Sequence, residues 1–112
     1  MTRTRLTTRH TSVTTNIHWT SPNGIDQKFV VTYGFDDKHQ IREVFCAGFK
    51  AGTDLVAFAN DACILLSRLL QHGEHLADIS KTLGENRQEG QTQGPPASVL
   101  GAIVRKGMEL HG

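Results

Sequence analysis

The turn Gly48-Phe-Lys-Ala-Gly-Thr-Asp54 carries the most chemistry that the residue types of this chain offer. Gly48 and Gly52 permit a tight turn, and Thr53 or Asp54 can accept hydrogen bonds from the free N–H groups of a helix that starts there. Free amides and the positive end of a helix dipole favour an anion, and Lys50 adds a cation beside them. Gly48, Lys50, Gly52, Thr53 and Asp54 are therefore the candidate contacts to a phosphate or carboxylate. A plain strand-to-helix connection uses the same residues. The turn is not a P-loop, because the Gly-Lys-Ser/Thr ending is missing, and its glycine rhythm is not that of a dinucleotide site.

Other reactive side chains do not assemble in the sequence. Cys46 and Cys63 are not in CxxC spacing and sit among apolar neighbours, so both are expected to be buried structural thiols. Six histidines, His10, His18, His39, His72, His75 and His111, are scattered. Only His72 and His75 are close, and Gly73 separates them onto different elements, so no metal site is expected. No Ser-His-Asp order, paired carboxylates or glycine-serine elbow is recognisable. The expectation is a protein that is not an enzyme and has no cofactor.

The elements around the turn follow from periodicity. Val13, Ile17 and Trp19 alternate with Thr14, Asn16 and His18, which predicts a first strand. Ser21-Pro-Asn-Gly24 is a turn signal that closes a hairpin. Gln27 to Phe35 follows as a second strand with Phe29, Val31, Tyr33 and Phe35 on its core face, and Ile41 to Phe45 is a third beyond a polar turn. Short turns between consecutive strands make an antiparallel meander over residues 11–46. From Leu55 to Leu70, apolar residues at 55, 58, 59, 62, 65, 66, 69 and 70 predict an amphipathic helix over 54–72. Its polar stripe is read as Asn60, Asp61, Ser67, Arg68 and Gln71, interrupted by Ile64, and Gly73 ends it as a C-cap. Ile64 and Arg68 are thereby candidate interface residues. Glu74 to Leu83 is a shorter helix, and Ser98 caps a third that runs to about Leu110, weakened by Gly101 and Gly107. Between them, residues 85–96 contain no apolar side chain, which predicts a flexible loop or a binding loop.

The fold class is α+β: a three-stranded antiparallel meander on one long helix, then two shorter helices. At 112 residues the chain is one domain, read as 13–110 behind an arm of residues 1–12. Arg3, Arg5 and Arg9 precede the first acidic residue, Asp26, so the arm is basic and offers a weak contact for nucleic acid, although the net charge is only +1. Hydrophobic residues at 38% and charged residues at 21% fit a soluble globular protein, and no apolar run approaches the roughly 18 residues of a membrane span. Without a secretory signal and with two cysteines, a cytoplasmic location is expected. A small sheet with one long helix leaves an edge and part of a helix face uncovered, which predicts a homodimer.

The series Arg42-Glu-Val-Phe-Cys46, Gly48-Phe-Lys-Ala-Gly-Thr-Asp54, Asp61-Ala-Cys-Ile-Leu-Leu-Ser67 and Leu69-Leu-Gln-His-Gly73 resembles the TSCPD domain from about Thr11 to Ala102. That domain occurs as a C-terminal module of adenosylcobalamin-dependent ribonucleotide reductases and as small stand-alone proteins. The Thr-Ser-Cys-Pro-Asp run that names it has no counterpart here, because the nearest segment, Pro95-Pro-Ala-Ser-Val99, lacks cysteine. Thiol or metal roles tied to that run therefore do not transfer. The resemblance implies a non-catalytic binding module related to a reductase accessory domain, which takes a protein partner or a nucleotide-like anion. The alternative is a small inhibitor, encoded by a phage or mobile element, that occludes a larger host protein or nucleoprotein complex.

Overall fold

The computed structural model describes residues 11–21, 24, 26–49 and 53–111, without the side chains of Thr53 and His111. Three strands, β1 (Ser12–Thr20), β2 (Asp26–Phe35) and β3 (Ile41–Ala47), form one antiparallel sheet in the order β1-β2-β3. Helices α1 (Thr53–Gln71), α2 (Leu76–Ser80) and α3 (Val99–His111) follow. The fold is therefore the expected α+β meander with one long helix.

Register explains which side chains are buried. Ile17 pairs with Phe29, Thr15 with Val31 and Val13 with Tyr33, while Val31 pairs with Cys46 and Tyr33 with Val44. Side chains alternate between faces along a strand, so these pairs share one face, and Phe29, Val31, Tyr33 and Phe35 are buried there as expected. The opposite face is polar along β1, where Thr14 and Thr32 join their hydroxyls at 2.8 Å and Asp26 accepts from His18 and Thr20. The β2–β3 turn is held by Asp36, whose carboxylate accepts the backbone N–H groups of Lys38 and Gln40. His39 there takes a left-handed φ of 61°.

Helix α3 closes the core. Ser98 accepts the Gly101 N–H at 3.0 Å, which is the expected cap, and the Tyr33 hydroxyl donates to the Ile103 carbonyl at 2.5 Å. Gly101 and Gly107 weaken this helix by propensity, but both are buried where α3 passes close to its neighbours. Helix α2 is shorter than the 74–83 helix expected; it stops at Ser80, and Leu83 reaches the core from a turn. Residues 85–96, expected as a flexible loop, are tied at the neck. Glu85 bridges Pro96, the Asn86 N–H reaches the Pro95 carbonyl at 2.8 Å, and the Trp19 indole N–H donates to the Pro96 carbonyl at 2.9 Å. Arg105 adds bonds from α3 to the Gly94 carbonyl and to Glu85.

Helix α1 packs with a different face from the one its apolar pattern suggests. Ala59, Cys63, Leu66 and Leu70 are buried, and so are Ser67 and Gln71, two members of the expected polar stripe. By contrast Phe58, Leu65 and Leu69, expected in the core, are 76%, 62% and 48% exposed. The reason lies in β3. Val44 sits opposite Tyr33 with its peptide groups pointing off the sheet edge, where the Ser67 hydroxyl accepts its N–H at 2.9 Å and donates to its carbonyl at 3.2 Å. One serine thus takes the place of a fourth strand at the centre of the edge, and unpaired edge groups are costly to bury. At its C-terminal end α1 closes as expected: Gly73 has φ 104°, and Glu74 N–H returns to the Leu69 carbonyl at 3.1 Å. Among the described residues no helix is long and apolar enough to cross a membrane.

Candidate functional site

The edge strand and α1 do not close completely over one another. Between them runs an open groove of about 580 Å³, with Val44, Phe45 and Cys46 on the β3 side and Cys63, Ile64 and Arg68 on the α1 side. The alternation of β3 turns Val44 inward and Phe45 outward, leaving Phe45 56% exposed. Ile64 faces it from α1 and is 59% exposed. The polar groups in the groove already hold partners: Ser67 bonds Val44, Gln71 donates to Glu43 at 3.4 Å, and Cys46 approaches Asn60 at 3.4 Å. No histidine lines it. What the groove offers is two exposed apolar walls with Arg68 at the rim, a surface suited to gripping an apolar side chain.

The two cysteines, distant in sequence, meet at the base of this groove within hydrogen-bonding reach of each other. Both are free thiols, Cys63 buried and Cys46 partly so. Burial pushes both thiols up from their ordinary range, and for Cys63 the neighbouring Cys46 adds to the effect. A raised pKa leaves little thiolate, the form that reacts. Alkylation of the folded protein by iodoacetamide at pH 7.5 is therefore expected to be slower than in denaturant, because burial both restricts access to the thiols and disfavours the thiolate. Rapid labelling of Cys46 in the folded chain at neutral pH would contradict this environment.

The sequence-derived site residues fall in different places. Ile64 and Arg68 both line the groove. Gly48 has a φ of 76° and packs against the Val30 side chain, and Phe49 stacks on Phe29 with ring centroids 4.3 Å apart, so the start of the turn is anchored to the core. Asp54 is exposed in the first turn of α1. Lys50, Gly52 and the Thr53 side chain, like Arg3, Arg5 and Arg9 of the basic arm, lie outside the described residues. Among the described residues no three His, Cys, Asp or Glu side chains come together to hold a metal ion. Sequence reasoning missed Phe45. The available signal was its place between Val44 and Cys46, two residues that share the core face and force it outward.

No curated protein and no solved structure shows significant similarity to the chain. The TSCPD domain family matches residues 3–111, which carries the likeness beyond Thr11–Ala102 at both ends and through all three strands and all three helices. The chain belongs to the TSCPD domain family.

Proposed function

We propose that this protein is a non-catalytic interaction module, related to a ribonucleotide reductase accessory domain, and that it binds a protein partner in the groove between β3 and α1. The observation that carries this reading is the pair Phe45 and Ile64, each more than half exposed on opposite walls of one groove. Large apolar side chains left in water around a concave surface mark interaction sites, and Arg at the rim is a residue type favoured there. The polar groups of the groove bond one another, which favours docking over chemistry. The family's association with ribonucleotide reductases makes a reductase chain the first partner to test.

The experiment is capture from the native host with the wild-type chain and with Ile64→Asp, followed by identification of the bound proteins. A reductase chain, or another nucleotide-metabolism enzyme, should be retained by the wild type and reduced about tenfold or more by the substitution, as for a central interface residue. Equal capture by both chains, or no capture, overturns the groove as the site. Capture of a nucleoprotein complex instead replaces the reductase reading by the inhibitor reading.

A further inference from the structure

A second apolar surface lies on α1, across its polar strip from the groove. Leu55, Phe58, Ala62, Leu65 and Leu69 follow alternating steps of three and four residues. That spacing is the seam of a coiled coil, in which one helix side is repeated every seven residues. Phe58, Leu65 and Leu69 on this seam are exposed, so the described residues leave it uncovered. One flank of the seam, Ala59 and Leu66, is buried in the protein's own core. The other flank is charged at seven-residue intervals by Asp54, Asp61 and Arg68, all exposed.

The order of these charges selects the occupant. Acidic residues stand toward the N-terminal end of the seam and a basic residue toward its C-terminal end. Neither Asp61 nor Arg68 has an ion-pair partner among the described residues. A parallel copy would bring like charges to the same level. A copy running the opposite way, related by a twofold axis near the middle of the helix, sets Asp61 opposite Arg68 of the second copy and Arg68 opposite its Asp61. The same rotation lays Phe58 on Leu69 of the second copy and Ala62 on its Leu65. It also covers an apolar hollow of about 420 Å³ beside Leu55, Phe58 and Ala62, walled by Trp19, Val99 and Leu100. We infer that α1 pairs antiparallel with α1 of a second copy of this chain through this seam, leaving the β3–α1 groove of each copy open.

Sedimentation equilibrium of the full chain at tens of micromolar tests this. The expected mass is twice the 12.3 kDa of one chain, and Leu65→Asp should return it to one. Asp61→Arg alone and Arg68→Asp alone each place two like-charge contacts across the axis and should raise the dissociation constant about tenfold or more, while the double exchange restores it to within about threefold. All these positions are exposed, and an unchanged helical circular dichroism spectrum serves as the folding control. A wild-type monomer, a Leu65→Asp dimer with intact fold, or a double exchange that fails to restore association each overturns the inference. Should Leu65→Asp unfold the chain, the charge series decides alone. Loss of the groove partner does not bear on this result, because the two surfaces share α1 but not their apolar residues.

Discussion

Gly107→Ala is expected to destabilise the protein by about 1–2 kcal/mol, a drop in Tm of roughly 5–10 °C, even though alanine is the better helix former by about 1 kcal/mol. A methyl group on Gly107 would sit 2.7 Å from Leu76 Cδ1 and 2.9 Å from Tyr33 Cε1. The leucine tip can turn aside, but the tyrosine ring cannot. Tyr33 is fully buried near the C-terminal end of β2, and its hydroxyl is fixed to the Ile103 carbonyl one turn earlier on α3. Its pKa is pushed up by this burial, so the phenol stays protonated and keeps donating. Forcing a methyl into so tight a contact with a ring that cannot yield costs about 2–3 kcal/mol, the upper part of the range for an overpacked core, which exceeds the propensity gain by about 1–2 kcal/mol. Gly101→Ala is the internal control: its nearest neighbour would be Pro96 Cβ at 3.1 Å, at the start of α3, and the expected change is within about 0.5 kcal/mol. Thermal melts of both variants decide. An unchanged or raised Tm for Gly107→Ala means that Tyr33 and Leu76 do not press on α3 as described.

These two glycines show how much of the molecule the residues disclose. Propensity marks Gly101 and Gly107 as flaws in α3, while packing sets Gly101 against Pro96 and Gly107 against Tyr33 and Leu76. The strands were legible because β2 alternates strictly through Phe29, Val31, Tyr33 and Phe35, and the turns because Ser21-Pro-Asn-Gly24 and Gly73 have few other uses. The orientation of α1 was not. More than half of its circumference is apolar, so periodicity alone cannot choose which side meets the sheet. Ser67 decides it by bonding the edge peptide of Val44, which no strand pairs, a contact between residues 23 positions apart that no local pattern contains. The candidate site inherits the same blind spot. Ile64 and Arg68 could be named from the interruption of a polar stripe, whereas Phe45 and the thiol pair required the β3–α1 juxtaposition. Residues 85–96 carry no apolar side chain, and what ties them down comes from elsewhere, from Trp19 on β1 and Arg105 on α3.

Arg42→Met is expected to cost about 2–3 kcal/mol at pH 7, because it removes the charged partner of a carboxylate that keeps only its two backbone N–H donors and leaves the Leu70 carbonyl without its guanidinium donor. Arg42 donates from Nε to Asp36 at 3.1 Å, and the two side chains are only 14% and 8% exposed. The same guanidinium donates to the Leu70 carbonyl at 2.7 Å and reaches the Glu74 carbonyl at 3.5 Å, so it also satisfies the last turn of α1 at its negative end. One side chain therefore ties the β2–β3 turn, β3 and the main helix together. The pH dependence follows from Asp36. Burial pushes its carboxyl up, but the Gln40 N–H, the Arg42 guanidinium and the Lys38 N–H together outweigh burial and hold it below its ordinary value of 3.8. A carboxyl that is more acidic in the folded state stabilises the fold above its unfolded pKa, and that contribution disappears as the pH falls through the lowered folded value. Asp36→Asn keeps the acceptor for the turn amides but not the charge. The stability gap between wild type and Asp36→Asn should be full at pH 7, begin to narrow near pH 4 and close under stronger acid, as read from urea titrations across that range. Asp26 and Glu85 are also held below the ordinary range, by His18 and Arg87 respectively, and since both chains carry them their titration cancels in the difference. A gap that stays constant down to pH 2, or widens in acid, would mean that the carboxylate of Asp36 is not what holds Arg42 in place.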